Sequence, residues 1–119
     1  MRLMLLLVGI LMTNVCYASE ATDRMAKILI SFNHFPADED LARLEAILGD
    51  NNSSDNEKAL AGIISRVAHK PAESDRSALD ALGKGRSTPA VKTLAKAVMS
   101  INHTPSAESI TALKAMLEP

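Results

Sequence analysis

The strongest constraint on the fold of this chain is an internal repeat, because sequence that recurs at a fixed period folds into a recurring structural unit. Its three histidines, His34, His69 and His103, recur at a nearly constant interval. In the same register every copy carries one proline, one leucine and two alanines, which are Pro36, Pro71, Pro105, Leu44, Leu79, Leu113, Ala26, Ala61, Ala95, Ala46, Ala81 and Ala115. The copies span approximately residues 22–50, 54–84 and 88–119.

Each copy has the pattern of two amphipathic helices separated by a short turn. Apolar residues recur at helical spacing before each histidine, as at Leu60, Ile64 and Val67, and again after each proline, as at Leu41 and Leu44. Because proline lacks an amide hydrogen and holds the preceding residue extended, the first helix must end before it. The sequence therefore predicts an all-α fold of three tandem helix–turn–helix repeats of about 34–35 residues. The six helices would form a short α-solenoid or a compact bundle.

Capping residues support these boundaries. Ser54–Glu57 has the spacing of a capping box, and Thr88–Pro89 combines a cap with a proline in the first helical turn. Gly49 and Gly83 stand where left-handed C-caps are expected. Only Phe32 and Phe35 are aromatic within the repeats, so we expect the repeated alanines to let paired helices approach closely.

The repeated helical hairpin resembles the tetratricopeptide class of repeats in architecture. The large aromatic residues of that class are missing from the first helix, and its proline follows the second helix rather than preceding it. The resemblance therefore implies stacked hairpins but carries over no peptide-binding residue. A single hairpin cannot bury its apolar side, whereas about three stacked copies can.

The N-terminal segment, residues 1–18, differs from the rest of the chain. Arg2 precedes an almost wholly apolar run over residues 3–12, and Ala18 occupies the −1 position of a signal-peptidase site. The apolar run is about half of the roughly 20 residues that span a bilayer. We therefore expect residues 1–18 to be a signal peptide, residues 19–119 to be a single secreted or periplasmic domain, and no permanent membrane span after cleavage.

Composition excludes several classes of protein. The formal net charge of −1 argues against nucleic-acid binding through bulk charge. A single cysteine, Cys16, rules out an intrachain disulfide framework and a thiolate zinc cage. We expect no cofactor.

The row of histidines admits two interpretations. Imidazole is a common ligand of zinc, copper and nickel, so a metal or small-ligand site at His34, His69 and His103 is the alternative function. Equivalent residues of stacked hairpins should, however, lie roughly 8–10 Å apart, which is too far for one shared ion. The favoured interpretation is structural. Each histidine would end the first helix of its copy by interacting with the free carbonyls of the last helical turn, and there would be no metal.

The distribution of charge suggests the leading function. The first helices are basic and the second helices of the first two copies are acidic, so stacked hairpins would present a basic face. We expect an exported module that binds an unknown protein or peptide, and its predicted contact residues are Lys27, Lys58, Arg66, Lys92 and Lys96. A further alternative is a structural envelope protein that self-associates.

Catalysis has little support in the sequence. Ser31, Ser65 and Ser100 lie about one helical turn before a histidine, but no third group is placed to orient that histidine. Because the serines follow the same repeat, a packing role explains them, and we expect no enzyme and no catalytic residue.

Overall fold

The computed structural model describes residues 19–118, which contain six α-helices. The all-α fold and the two helices per copy are therefore confirmed. The predicted signal peptide lies outside the described residues. The helices are α1 Glu20–Ile30, α2 Asp38–Leu48, α3 Asp55–Ser65, α4 Glu73–Lys84, α5 Pro89–Met99 and α6 Ala107–Met116.

The predicted caps begin α3 and α5. Ser54 Oγ accepts a hydrogen bond from the Glu57 amide at 3.1 Å, and Glu57 Oε1 accepts one from the Ser54 amide at 2.8 Å. Thr88 Oγ1 accepts from the Val91 amide at 3.2 Å, and Pro89 is the first residue of α5. Both helices therefore begin where the sequence predicts.

The three copies close into a ring. The first helices α1, α3 and α5, which we call the inner helices, each contact the other two. The second helix of each copy packs on the inner helix of the next copy: α2 on α3, α4 on α5 and α6 back on α1. In an open solenoid the first and last of three copies would not meet, so the fold is the compact bundle of the two predicted alternatives.

The core is formed mainly by the inner helices, which surround a common axis. Ala26, Ala61 and Ala95 are fully buried, in agreement with the close approach expected there. The second helices α2, α4 and α6, which we call the outer helices, each bury one repeated leucine that is at most 1% exposed. These residues are Leu44, Leu79 and Leu113. The outer helices therefore cover the inner three with a single apolar face.

The second set of repeated alanines does not pack between helices. Ala46, Ala81 and Ala115 are exposed, so the expectation that they bring paired helices together is wrong. Each lies two residues after the buried leucine of its helix, and at about 100° per residue two steps turn a side chain to the opposite side. This repeat position therefore lies on the outward face of the second helix of each copy.

The expected left-handed glycine caps are also absent from the described chain. Gly49 has φ −91°, and Gly83 lies inside α4. The residues with positive φ between 19 and 118 are His34, His69 and His103. The chain therefore reverses in the left-handed region at a histidine after each inner helix.

One buried polar contact joins the starts of α1 and α3. Ser19 Oγ, in the N-cap residue of α1, donates to Glu57 Oε2 at 2.6 Å, and Glu57 is only 9% exposed. Because the same carboxylate also accepts from the Ser54 amide, it links two copies while capping α3. The inner helices therefore begin side by side at one end of the bundle.

Candidate metal site

The end of the bundle where the inner helices finish carries three equivalent tight turns, each with a histidine at its centre. His34, His69 and His103 have φ of 71°, 69° and 73°. In the first copy the Phe35 amide donates to the Asn33 carbonyl at 2.8 Å, which is the i to i+2 hydrogen bond of a γ-turn. A central residue with a positive φ of about 75° identifies the rare, strained form of that turn.

The backbones of the three turns are joined in a closed cycle of hydrogen bonds. The His34 amide donates to the His103 carbonyl at 2.6 Å, the His69 amide to the His34 carbonyl at 2.5 Å, and the His103 amide to the His69 carbonyl at 2.5 Å. Each histidine therefore has its amide and its carbonyl paired with the other two. This cycle holds the three residues around the bundle axis.

The three side chains form one cluster. Their ring centroids are 5.1 Å apart for His34 and His69, 4.8 Å for His34 and His103, and 5.2 Å for His69 and His103, and the rings meet edge to face. One ring nitrogen from each residue lies within 4.8 Å of the others. His34 is half-buried, while His69 and His103 are exposed to solvent. The histidine cluster therefore opens at the surface.

The expectation that these histidines lie too far apart to share an ion is wrong. That expectation assumes that the histidines occupy equivalent positions on stacked helices, which lie one helix-packing distance apart. Here the residues lie in turns beyond the helices, and the closed ring directs all three turns to one axis. The distance between the three histidines is therefore set by the cycle of backbone hydrogen bonds and not by helix packing.

The histidines also do not close the inner helices as predicted. The last carbonyls of these helices accept hydrogen bonds from serine hydroxyls instead. Ser31 Oγ donates to the carbonyls of Lys27 and Ile28, both at 3.3 Å, and similar bonds run from Ser65 to Gly62 at 2.6 Å and from Ser100 to Ala97 at 2.7 Å. The hydroxyls reach these carbonyls because they lie within one turn of them, whereas each histidine comes further along the chain. The imidazole rings are left for another role.

One imidazole is oriented by its neighbour. His34 Nδ1 lies 2.6 Å from Asn33 Oδ1. An amide oxygen only accepts, so this contact places the ring hydrogen on Nδ1 and leaves the Nε2 lone pair available. Metal-binding histidines commonly donate a hydrogen bond from the N–H of their second ring nitrogen to an oxygen acceptor. Asn102 precedes His103 in the same way, whereas Ala68 precedes His69.

The cluster is close to the dimensions of a three-histidine metal site. Zn–N bonds of about 2.0–2.1 Å in tetrahedral geometry place ligand nitrogens about 3.3 Å apart. Rotation of the histidine side chains, two of which are exposed, would have to bring the observed spread of up to 4.8 Å to that value. Three imidazoles would leave a fourth position open to solvent, as in catalytic zinc sites.

The predicted basic contact residues do not form one face. The inner helices are arranged around an axis rather than in a row, and the equivalent residues Lys27 and Lys96 line different surface pockets, one beside α2 and the other beside α4. Lys58 and Lys92 are half-buried. Arg66 is joined to Asp75 by a 3.0 Å salt bridge, and this hydrogen bond raises the pKa of the Arg66 side chain. The closed ring thus removes the stacked geometry on which that face depends.

Comparisons with protein-family models, with curated proteins and with solved structures find no match for this chain. Within residues 19–118, no helix has both the length and the apolar character needed to cross a membrane.

Proposed function

We propose that this protein binds a transition-metal ion, with Zn²⁺ as the reference ion, through His34, His69 and His103. The observation that carries the proposal is the convergence of one imidazole from each repeat to within 4.8 Å. Imidazole is a ligand for zinc, copper and nickel, and the predicted leader favours an exported metal-binding protein. Copper and nickel also bind imidazole and serve as comparison ions.

Backbone strain at the three turns supports a role for the imidazoles. A left-handed conformation at a residue other than glycine costs on the order of 1–3 kcal/mol. Glycine adopts positive φ without this cost, yet all three turns carry histidine. A side chain with a function at the axis accounts for this choice better than the turn geometry alone.

The backbone cycle gives the site preorganisation. Because the three histidine amides and carbonyls are already paired, the ligands lose little backbone freedom when an ion binds. Side-chain rotation is the remaining adjustment, and Asn33 already orients one ring. This arrangement supports a site that exists before the metal arrives.

The test is metal uptake by the purified protein after treatment with a chelator. Equilibrium dialysis against Zn²⁺, Cu²⁺ and Ni²⁺ in a buffer that does not bind metals should show one ion per chain. The matched control is the triple variant His34→Asn, His69→Asn, His103→Asn, because asparagine tolerates positive φ and removes the imidazoles.

The control variant should retain its helical circular dichroism and lose uptake. Absence of uptake by the wild-type protein would refute the proposal, as would equal uptake by the folded triple variant.

A further inference from the structure

A groove of about 650 Å³ lies between α1 and α2 of the first copy. Its floor includes Ile28 of α1, and its opposite wall includes Ala42 and Ala46, which are one turn apart on α2. The small alanine side chains leave space between the two helices. The exposed repeat position at Ala46 therefore borders a groove rather than a helix–helix contact.

The rim of this groove is basic. Arg24 and Lys27 line it from α1, and Arg43 lines it from α2, against a single acid, Asp40. No salt bridge joins Lys27 to another residue in the described part of the chain. Even with Glu20, which pairs with Arg24 from outside the lining, three cations face two carboxylates, so the groove has an excess of positive charge.

Each arginine forms an ion pair with an acid of its own helix. Arg24 lies 3.1 Å from Glu20, whose side chain is 79% exposed, whereas Arg43 lies 2.8 Å from Asp40, whose side chain is only 17% exposed. Ion pairs between exposed side chains are weak, so an incoming carboxylate can compete with Glu20 for Arg24, while Arg43 can bind it with the guanidinium hydrogens that Asp40 leaves free. Arginine also binds carboxylates through two parallel hydrogen bonds.

The corresponding regions of the other copies differ. In the second copy Arg66 and Asp75 occupy the positions of Ser31 and Asp40, and their salt bridge crosses from the end of α3 to α4. In the third copy Ser100 Oγ accepts from the Ser106 amide at 3.1 Å. The position of Arg43 is alanine in both copies, at Ala78 and Ala112. The first copy alone therefore combines Arg24, Lys27 and Arg43.

We infer that this groove binds a short acidic peptide segment. The three cations match carboxylates, and the floor at Ile28 with the alanine wall accepts small apolar side chains between them. The groove volume of about 650 Å³ lies within the range of about 300–1,000 Å³ that is typical of pockets for drug-sized ligands, so it can hold part of a short peptide. Unlike the basic face expected from the sequence, this site uses Lys27 together with two arginines. It is independent of the metal site.

The test is fluorescence anisotropy with a labelled octapeptide of alternating Glu and Ala, in the presence of a chelator. The wild-type protein should bind it saturably, and added NaCl should weaken binding because the contacts are exposed charges. The double variant Lys27→Glu, Arg43→Glu should lower the affinity at least about tenfold. The matched control is Lys96→Glu, because Lys96 occupies the repeat position of Lys27 outside this groove.

Three results of the peptide titrations would overturn the inference. They are the lack of saturable binding, equal binding of the octapeptide with Gln in place of Glu, and an equal loss of affinity in the Lys96→Glu variant. The peptide with Gln tests the wild-type protein, so the result holds even if a variant folds poorly. Binding of succinate as tightly as the peptide would identify a small-anion site and overturn the peptide assignment.

Discussion

The amide of His34 donates a hydrogen bond to the carbonyl of His103 at 2.6 Å, so the first copy of the repeat is joined directly to the last. With the packing of α6 on α1, this bond turns a linear array into a ring. Ring closure has two consequences. It removes the stacked basic face that the sequence favours, and it brings three histidines into one cluster.

Metal binding should stabilise the fold, because the three ligands meet only when the ring is closed. A ligand that binds only the folded state at 100 times its Kd adds about 2.7 kcal/mol to the free energy of unfolding. For a domain of this size that predicts a rise in Tm of roughly 10–20 °C. Thermal unfolding followed by circular dichroism, with and without Zn²⁺, measures it. An equal shift in the triple asparagine variant would show that the ion acts elsewhere.

The left-handed backbone at His69 predicts an order of stability among substitutions. Alanine at φ 69° incurs about 1–2 kcal/mol of steric cost, whereas asparagine tolerates this region. We expect His69→Asn to be more stable than His69→Ala by about 1 kcal/mol. Urea unfolding of the two variants without metal gives the difference. Equal stability would mean that the turn does not hold its positive φ in solution.

The repeated leucines and the second set of repeated alanines should differ sharply in importance. Leu79 is 1% exposed, and Leu79→Ala should cost about 2–5 kcal/mol through lost burial and a cavity. Ala81, two residues later, is exposed, so Ala81→Ser should change the free energy of unfolding by less than about 0.5 kcal/mol. Urea unfolding of both variants tests the assignment of core and surface. A large loss of stability in Ala81→Ser would contradict it.

Glu57 should stabilise the fold more than an exposed carboxylate does. Glu57→Ala leaves the Ser19 hydroxyl and the Ser54 amide without their acceptor, at a cost of about 1–3 kcal/mol. The control is Glu20→Ala, which removes an exposed ion pair to Arg24 and should cost about 0–1 kcal/mol. Chemical unfolding of both variants measures the difference. Similar losses in the two would show that the link between α1 and α3 contributes little.

The local features of this fold are predictable from the sequence because short-range chemistry decides them. Apolar spacing and the caps at Ser54 and Thr88 place the helices, and the proline two residues after each histidine separates them. The arrangement of the copies is different. A helical hairpin repeat of this length is compatible with both an open stack and a closed ring, so sequence spacing alone does not bring the histidines together.

Two features of the candidate sites have weak signals in the sequence. The recurrence of a histidine two residues before proline is visible in the sequence. Glycine, however, is the residue expected at a left-handed turn, so the sequence predicts left-handed backbone at Gly49 and Gly83 and not at the histidines. The groove depends on Arg24 and Arg43, which lie on different helices and belong to no shared sequence motif. The packing of α1 beside α2 is what places Arg24 and Arg43 along the same groove.

In the proposed site, His34, His69 and His103 together bind one metal ion. X-ray absorption of the zinc-loaded protein measures the ligands directly. We expect three imidazole nitrogens at about 2.0–2.1 Å from the zinc and one oxygen from solvent. A zinc-loaded protein with fewer than three imidazole ligands, or a spectrum unchanged in the folded triple asparagine variant, would contradict it.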